Sequence, residues 1–305
     1  MESLSDLKLI KFHPNTLMDL RKQYNLDKPG QMDEAIDLLD GWIKKQNHFS
    51  VKQFRKSYLE RQIILDKGSV ERAKQQIEKL FTLKTVYSHF FTVYDVKNEY
   101  PVLKDVFIQT LMPNLTEDHY RIFVGRIISS FNSHSLTMFE YIRANEYCNG
   151  FISVLDYRDI NIMDFISVIN LVEMRQFVTL MMEGYQMRLK AIHMVTSSKA
   201  VELLVKIFKQ VFSAKIGDRI QVHMNLESLH QHVPKELLPK DMGGHQKSLP
   251  SLCDEFIDAL STKQNIEYLK EASKMCVDEK WRCSSNNYTE EALGMSGTFR
   301  TLSVD

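Results

Sequence analysis

A chain of 305 residues has room for two domains of ordinary size, and its 44% apolar and 26% charged residues mark a globular protein rather than a disordered or fibrous one. Lysine plus arginine balances aspartate plus glutamate, 39 against 39, which argues against a global electrostatic grip on nucleic acid, so no nucleic acid is expected among the partners. Eleven glycines and seven prolines, where average usage gives roughly 21 and 15, predict short loops and a predominance of helix.

The amino terminus, MESLSDLKLIKFHPN, has no basic start followed by an apolar core, and no apolar run nears the roughly 20 residues of a membrane span. Cys148, Cys253, Cys276 and Cys283 show no paired spacing and are expected to remain reduced thiols, as in the cytoplasm. Between residues 32 and 85 three helices are predicted. The first carries Met32, Ile36, Leu39 and Ile43 on one stripe, with Trp42 alongside. The second runs over 50–65 from a Ser50 cap, and the third over 69–81 from a Ser69 cap.

From about residue 118 the pattern changes. Four short apolar runs, YRIFVGRII (120–128), GFISVLD (150–156), LKAIHMV (189–195) and RIQVHM (219–224), alternate with helical stretches at 135–147, 162–183 and 198–215. That alternation predicts an α/β fold with a mostly parallel sheet covered by helices. After Gly244 another amphipathic helix is expected around Leu252, Phe256 and Leu260, then a polar end, 284–305, that frays.

The usual catalytic signatures are missing. No glycine-rich phosphate loop, no G-x-S-x-G and no H-E-x-x-H occurs, and no nucleophile can be paired with a base, so no catalytic residue, no cofactor and no metal is expected. Cys276 and Arg282 have the C-x5-R spacing of a phosphatase loop, but Asp278 and Glu279 between them would repel a phosphate. His223, His230 and His232 lack a completing thiolate or carboxylate and read as a solvated cluster; His193, inside an apolar run, reads as a core histidine.

What remains is surplus apolar surface. In KAVELLVKIFKQVF (199–212), Val201, Leu204, Val205, Phe208, Val211 and Phe212 share a face that Leu203 and Ile207 widen beyond the usual stripe. Such a helix is either deeply buried, or it closes an apolar cavity or dips into a bilayer surface.

Four blocks, NGFISVLDYRDI (149–160), RLKAIHMV (188–195), FSAKIGDRIQVH (212–223) and LPKDMGG (238–244), in this order and spacing, resemble the CRAL-TRIO lipid-binding domain. ILDKGSVERAKQQIEKLFTLKTVYSHFF (64–91) is similar to that family's helical N-terminal region, in particular in its insect alpha-tocopherol-transfer-protein-like (clavesin- and retinaldehyde-binding-like) members. The resemblance implies an N-terminal helical region over 1–90, a lipid-binding domain over 91–250, and a C-terminal helix and tail over 251–305. It implies a sheet that floors an apolar pocket, bordered by Phe177, Leu180, Met181, Tyr185, Met187 and Ile192. A gate helix would present Val201, Leu204, Ile207, Phe208 and Phe212 to it. Arg188, Lys190, Lys215 and Arg219 match basic residues that hold a phosphoinositide headgroup in relatives. The function implied is carriage of a hydrophobic small molecule or lipid between membranes by a cytoplasmic protein that touches membranes transiently.

Four departures accompany the resemblance. Thr196-Ser197-Ser198 replaces an Asn-x-Pro, Met242 replaces the aromatic before Gly-Gly, and Asp66 occupies a basic position. The segment between Ile128 and Gly150 is shorter by roughly ten residues, or about three helical turns. That shortening raises an alternative expectation: a regulatory or membrane-recruitment protein with a reduced pocket.

Overall fold

A computed structural model of the protein describes residues 9–99, 101–129 and 136–282. The polar end expected to fray, 284–305, and the start of the helical stretch at 135 lie outside the described residues.

Four helices open the chain: α1 (Thr16–Gln23), α2 (Gln31–Lys44), α3 (Lys56–Leu65) and α4 (Val70–Val86). The predicted stripe of α2 is its buried face, with Leu39 and Ile43 fully enclosed. Ser69 caps α4 by accepting from the Arg72 N–H, which satisfies one of the free donors of the first turn. Ser50 does not cap α3, which begins only at Lys56. Its hydroxyl instead donates to the carbonyls of Lys274 and Cys276, tying the N-terminal helices to the end of the described chain.

Two short helices, α5 (Val96–Glu99) and α6 (Leu103–Val106), lead into β1 (Phe107–Leu115) and β2 (Tyr120–Ile127). Next come α7 (Leu136–Asn145), β3 (Gly150–Asp156), α8 (Ile162–Ser167), α9 (Leu171–Thr179) and β4 (Leu189–Val195). They are followed by α10 (Val201–Val211), α11 (Ala214–Gly217), β5 (Ile220–His223), α12 (Leu226–His230), α13 (Leu249–Leu260) and α14 (Lys263–Ala272). The expected helix over 162–183 is thus divided. Asn161 and Asn170 each accept two backbone N–H groups and start a new helix, and a π-helical turn over Leu180–Gly184 ends the stretch.

The strands lie in chain order, β1-β2-β3-β4-β5. β2 to β5 are parallel, and β1 joins β2 antiparallel. Because side chains alternate along a strand, the sheet has two distinct faces. Val154, Val195, Ile122, Val124 and Met112 face a smaller core with Leu229, Leu238 and Met242. Phe151, Ser153 and Leu155, the alternate positions of β3, face the other way, toward α7, α8, α9 and α10. The Gly-Gly of LPKDMGG is required by space and by backbone angle. Gly243 has φ +69°, and a Cβ on Gly244 would come within 2.1 Å of the Leu238 carbonyl oxygen.

Candidate functional site

Between the sheet and the helices lies an enclosed cavity of about 130 Å³. The sheet provides its floor: Phe107, Gln109 and Leu111 from β1, Phe123 and Ile127 from β2, Phe151, Ser153 and Leu155 from β3, and Ile192 from β4. One wall is α7, with Met138, Phe139 and Ile142; the other is α8 and α9, with Phe165, Met174, Phe177 and Val178. Phe208 and Phe212 close it from α10, their rings edge to face at 6.2 Å. Apart from Gln109, Ser153 and Tyr157, every lining side chain is apolar, and none is charged.

Of the pocket residues expected from the sequence, Phe177, Met181, Met187 and Ile192 line this cavity. Leu180 and Tyr185 do not. Leu180 turns back in the π-helical turn, where its side chain packs beside Gly184 with Leu80 and Leu83 of α4. Tyr185 aims its hydroxyl away, donating to Glu140 at 2.6 Å. Of the gate residues, Phe208 and Phe212 face the cavity, whereas Val201, Leu204 and Ile207 do not. α10 packs on α8 and α9, with Val201 and Leu204 buried, so only its last turn overlies the cavity. The floor residues of β1 and β2 were missed by sequence reasoning. Their signal was the two-residue alternation of Phe107, Gln109 and Leu111 and of Phe123 and Ile127 around Gly125. A Cβ on Gly125 would meet the Phe107 ring at 2.4 Å, so the glycine makes room for that ring.

The four basic residues divide into two kinds. Arg188, at the entry to β4, donates to the Tyr24 hydroxyl at 2.7 Å and lies over that ring at 5.6 Å. Arg219 donates to the Leu189 carbonyl, at the first residue of the same strand. Lys190 and Lys215 are exposed, with Lys190 over the Tyr120 ring at 4.9 Å. Asp66 is buried next to this end of β4. Burial pushes its carboxyl up to about 6, against hydrogen bonds from Gln62 and Gln186 and the charges of Arg143 and Arg188.

The histidines and Arg282 singled out in the sequence have structural roles. His223 is buried and hydrogen-bonds His193 at 2.9 Å on the face of the sheet away from the cavity, so the expected solvated cluster of His223, His230 and His232 is not what forms. Burial, then His223 and His232, push His193 down to about 4. His230 bonds separately to the Met242 carbonyl at 2.7 Å. Arg282 is engaged by Glu78, Glu279 and Thr82, which leaves no phosphate loop with Cys276. Among the described residues no group of His, Cys, Asp or Glu side chains could hold a metal ion, and no helix is long and apolar enough to cross a membrane.

A mostly parallel sheet with one face buried in a core and the other flooring an enclosed apolar chamber defines a class of hydrophobic-cavity fold. Residues 112–244, from mid-β1 through the Gly-Gly, match the family model of the CRAL/TRIO domain. Alpha-tocopherol transfer protein-like proteins of Pongo abelii, Homo sapiens and Mus musculus are each 28% identical over 117 residues, 36% of this chain. That match spans about a third, 32%, of the length of those relatives. The crystal structure of Sfh5 aligns with 85% of this chain and 100% of its own at 12% identity, with a TM-score of 0.46.

Proposed function

We propose that the protein is a non-catalytic carrier that binds a hydrophobic small molecule or lipid, of the tocopherol, retinoid, carotenoid or phospholipid class, and transfers it between membranes. The observation that carries this reading is the enclosed chamber beneath α10, whose lining is apolar except at three residues. Burying apolar ligand surface there is worth about 25 cal/mol per Å², so no covalent chemistry is needed to hold a lipid. At about 130 Å³ the closed chamber is close to the ~150 Å³ that accommodates one benzene-sized ring. A full-length lipid therefore requires Phe208 and Phe212 to swing outward with the end of α10. The same volume favours the second reading, a recruitment protein with a reduced pocket. Native mass spectrometry of protein isolated from cells separates the two. A stoichiometric lipid adduct is expected; recovery of empty protein that also takes up no offered lipid would leave only the recruitment reading.

Membrane docking through phosphoinositides forms part of the proposal. Lys190 and Lys215 are the exposed members of the basic set, and exposed cations meet multiply charged phosphates through charge-assisted hydrogen bonds. Met163, Val168, Leu171, Val172 and Leu203 are exposed on the elements that cover the cavity, and support contact of that cover with a bilayer. Replacing Lys190 and Lys215 together with alanine is expected to weaken binding to phosphoinositide-containing vesicles. Loss of roughly 1 kcal/mol per lysine amounts to about tenfold or more for the pair. The difference should shrink as salt screens the contacts. Equal binding of parent and double variant at low salt would remove the headgroup role. Arg188 and Arg219 are unsuitable for this test, because their guanidinium groups hold the start of β4.

A further inference from the structure

Among the described residues, the buried side-chain nitrogens and oxygens that lack a hydrogen-bond partner all belong to one cluster beside the entry to β4. They are Gln62 Oε1 and Asp66 Oδ1 at the end of α3, Arg143 Nη1 and Nη2 from α7, and Gln186 Oε1 and Arg188 Nε from the turn before β4. Asp66 is common to all of them. It accepts from the Gln62 amide, and facing it are two cations, Arg143 and Arg188, and a second amide, Gln186. Gln62, Asp66 and Arg143 are almost inaccessible to solvent.

Asp156 shows what sets this carboxyl apart. Asp66 and Asp156 are equally enclosed, at 1% and 0% exposure. Asp156 accepts from the Arg158 N–H at 3.1 Å, from Arg158 Nε and Nη2 at 2.9 Å each, and from Arg126 Nε at 3.1 Å, and these hold it below its ordinary value. Neither arginine beside Asp66 donates to it. Arg143 Nε goes to the Tyr58 hydroxyl at 2.5 Å, and Arg188 Nη1 and Nη2 go to Tyr24 and Asn149. Burial therefore prevails, and the Asp66 carboxyl rises to about 6. The cluster also lies against the basic patch. Arg188 and Lys190 are about 7 Å apart along extended chain, inside the roughly 8–10 Å over which salt screens charge. An ionised Asp66 offsets one of these positive charges, and a protonated one does not.

We infer that Asp66 is a proton switch for docking: ionised, it weakens the pull of the basic patch on an anionic membrane, and protonated, it releases that pull, so the matching surface is an anionic membrane at mildly acidic pH. This rests on the docking reading and adds its regulation. Asp66→Asn fixes the switch in its neutral state with little change of shape. Because the folded value lies above the unfolded one of about 3.9, the ionised carboxyl is a burden on the fold. Its stability is complete below about pH 4 and is lost as pH rises through about 6.

The test titrates the full chain, parent and Asp66→Asn, with phosphatidylcholine vesicles that carry a phosphatidylinositol bisphosphate. One charge near a membrane surface is worth about fivefold in affinity. The variant should bind about fivefold more tightly than the parent near pH 7.5, and equally near pH 5. Protonation of exposed histidines and of the phosphates is common to both chains and cancels in the ratio. A ratio that does not change with pH overturns the switch, while binding of both chains leaves the docking reading standing. If neither chain binds these vesicles at either pH, the docking reading falls and takes the switch with it. Thermal unfolding adds a second readout: near pH 7.5 the variant should be the more stable, by on the order of a hundredfold in the folding equilibrium. A variant less stable than the parent there, or unable to fold, overturns the switch. In the parent itself, the carboxyl carbon of Asp66 should titrate by NMR with a midpoint near 6; a midpoint near about 4, that of an exposed aspartate, also overturns it.

Discussion

Lys84→Met is expected to destabilise the protein by about 3–5 kcal/mol, the cost of breaking a buried ion pair by removing one partner. Lys84 and Glu140 are almost fully enclosed, with Nζ and Oε1 2.5 Å apart. Nζ also donates to the Ala272 carbonyl at 2.6 Å, and the Tyr185 and Tyr268 hydroxyls donate to the two Glu140 oxygens at 2.6 and 3.3 Å. One carboxylate on α7 therefore ties together α4, α14 and the turn before β4. Removing the ammonium leaves that carboxylate buried with two neutral donors, while methionine fills the volume. Chemical denaturation at neutral pH measures the loss, and a change below about 1 kcal/mol would show that the pair contributes nothing beyond shape.

The pH dependence of that loss has a definite sign. Burial alone would raise the Glu140 carboxyl; Lys84 beside it, with Tyr185 and Arg143, brings it below its ordinary value. In the parent this stabilises the fold above the unfolded value of about 4.3 and is lost as pH falls through the lower folded value. Without Lys84, burial prevails and the folded carboxyl rises above its unfolded value. The variant then keeps its stability in acid and loses it as pH rises, so the deficit is largest near pH 7 and narrows toward about pH 4. Adding Glu140→Gln to Lys84→Met should recover most of the loss at pH 7, because no unpaired charge remains buried. A double variant as unstable as the single one would place the cost in packing instead.

How far the chain discloses its own architecture follows from where each residue finds its partners. β2 to β5 are legible because short apolar runs between helices have few other solutions. β1 is not, since its sequence FIQTLMPNL mixes Gln109, Thr110, Pro113 and Asn114 into an edge strand. α1 escapes notice because it buries only Thr16, Leu17 and Leu20. Ser50 looks like a local cap, yet its partners lie more than 220 residues away, beyond any local rule. The same limit governs the cavity. Residues matched to the family by position include Phe177, Met187 and Phe208, which line it, and Leu180, Tyr185 and Leu204, which do not. A π-helical turn rotates Leu180 out, and a hydrogen bond to Glu140 draws Tyr185 away; neither is visible in hydrophobic periodicity. A serine inside the apolar run GFISVLD, like Gln109 in β1, was a sequence-level sign that the floor carries polar residues.

Phe208→Asp is expected to abolish cargo loading while sparing the fold, and Leu204→Asp to do the reverse damage by unfolding the domain. Both residues lie on the buried stripe of α10, but in different surroundings. Leu204 is fully enclosed in the main core, with α10 packed on α8 and α9. Phe208 stands one turn later, where the helix ends at Val211 and its side chain borders the chamber beside Phe212. An aspartate at 204 would sit inside the hydrophobic core; burying it unpaired costs several kcal/mol, a large part of total stability. An aspartate at 208 can reach water if the last turn of α10 lifts, next to the exposed Lys209 and Gln210. Lifting that turn opens the chamber and removes two of its aromatic walls, so affinity for any apolar cargo should fall by at least tenfold, equivalent to about 1.4 kcal/mol. Thermal unfolding and a fluorescent-lipid loading assay on both variants read the two effects separately. A Phe208→Asp protein that loads normally would mean that the end of α10 does not control entry. A Phe208→Asp protein as unstable as Leu204→Asp would mean that the whole helix, down to its last turn, is core.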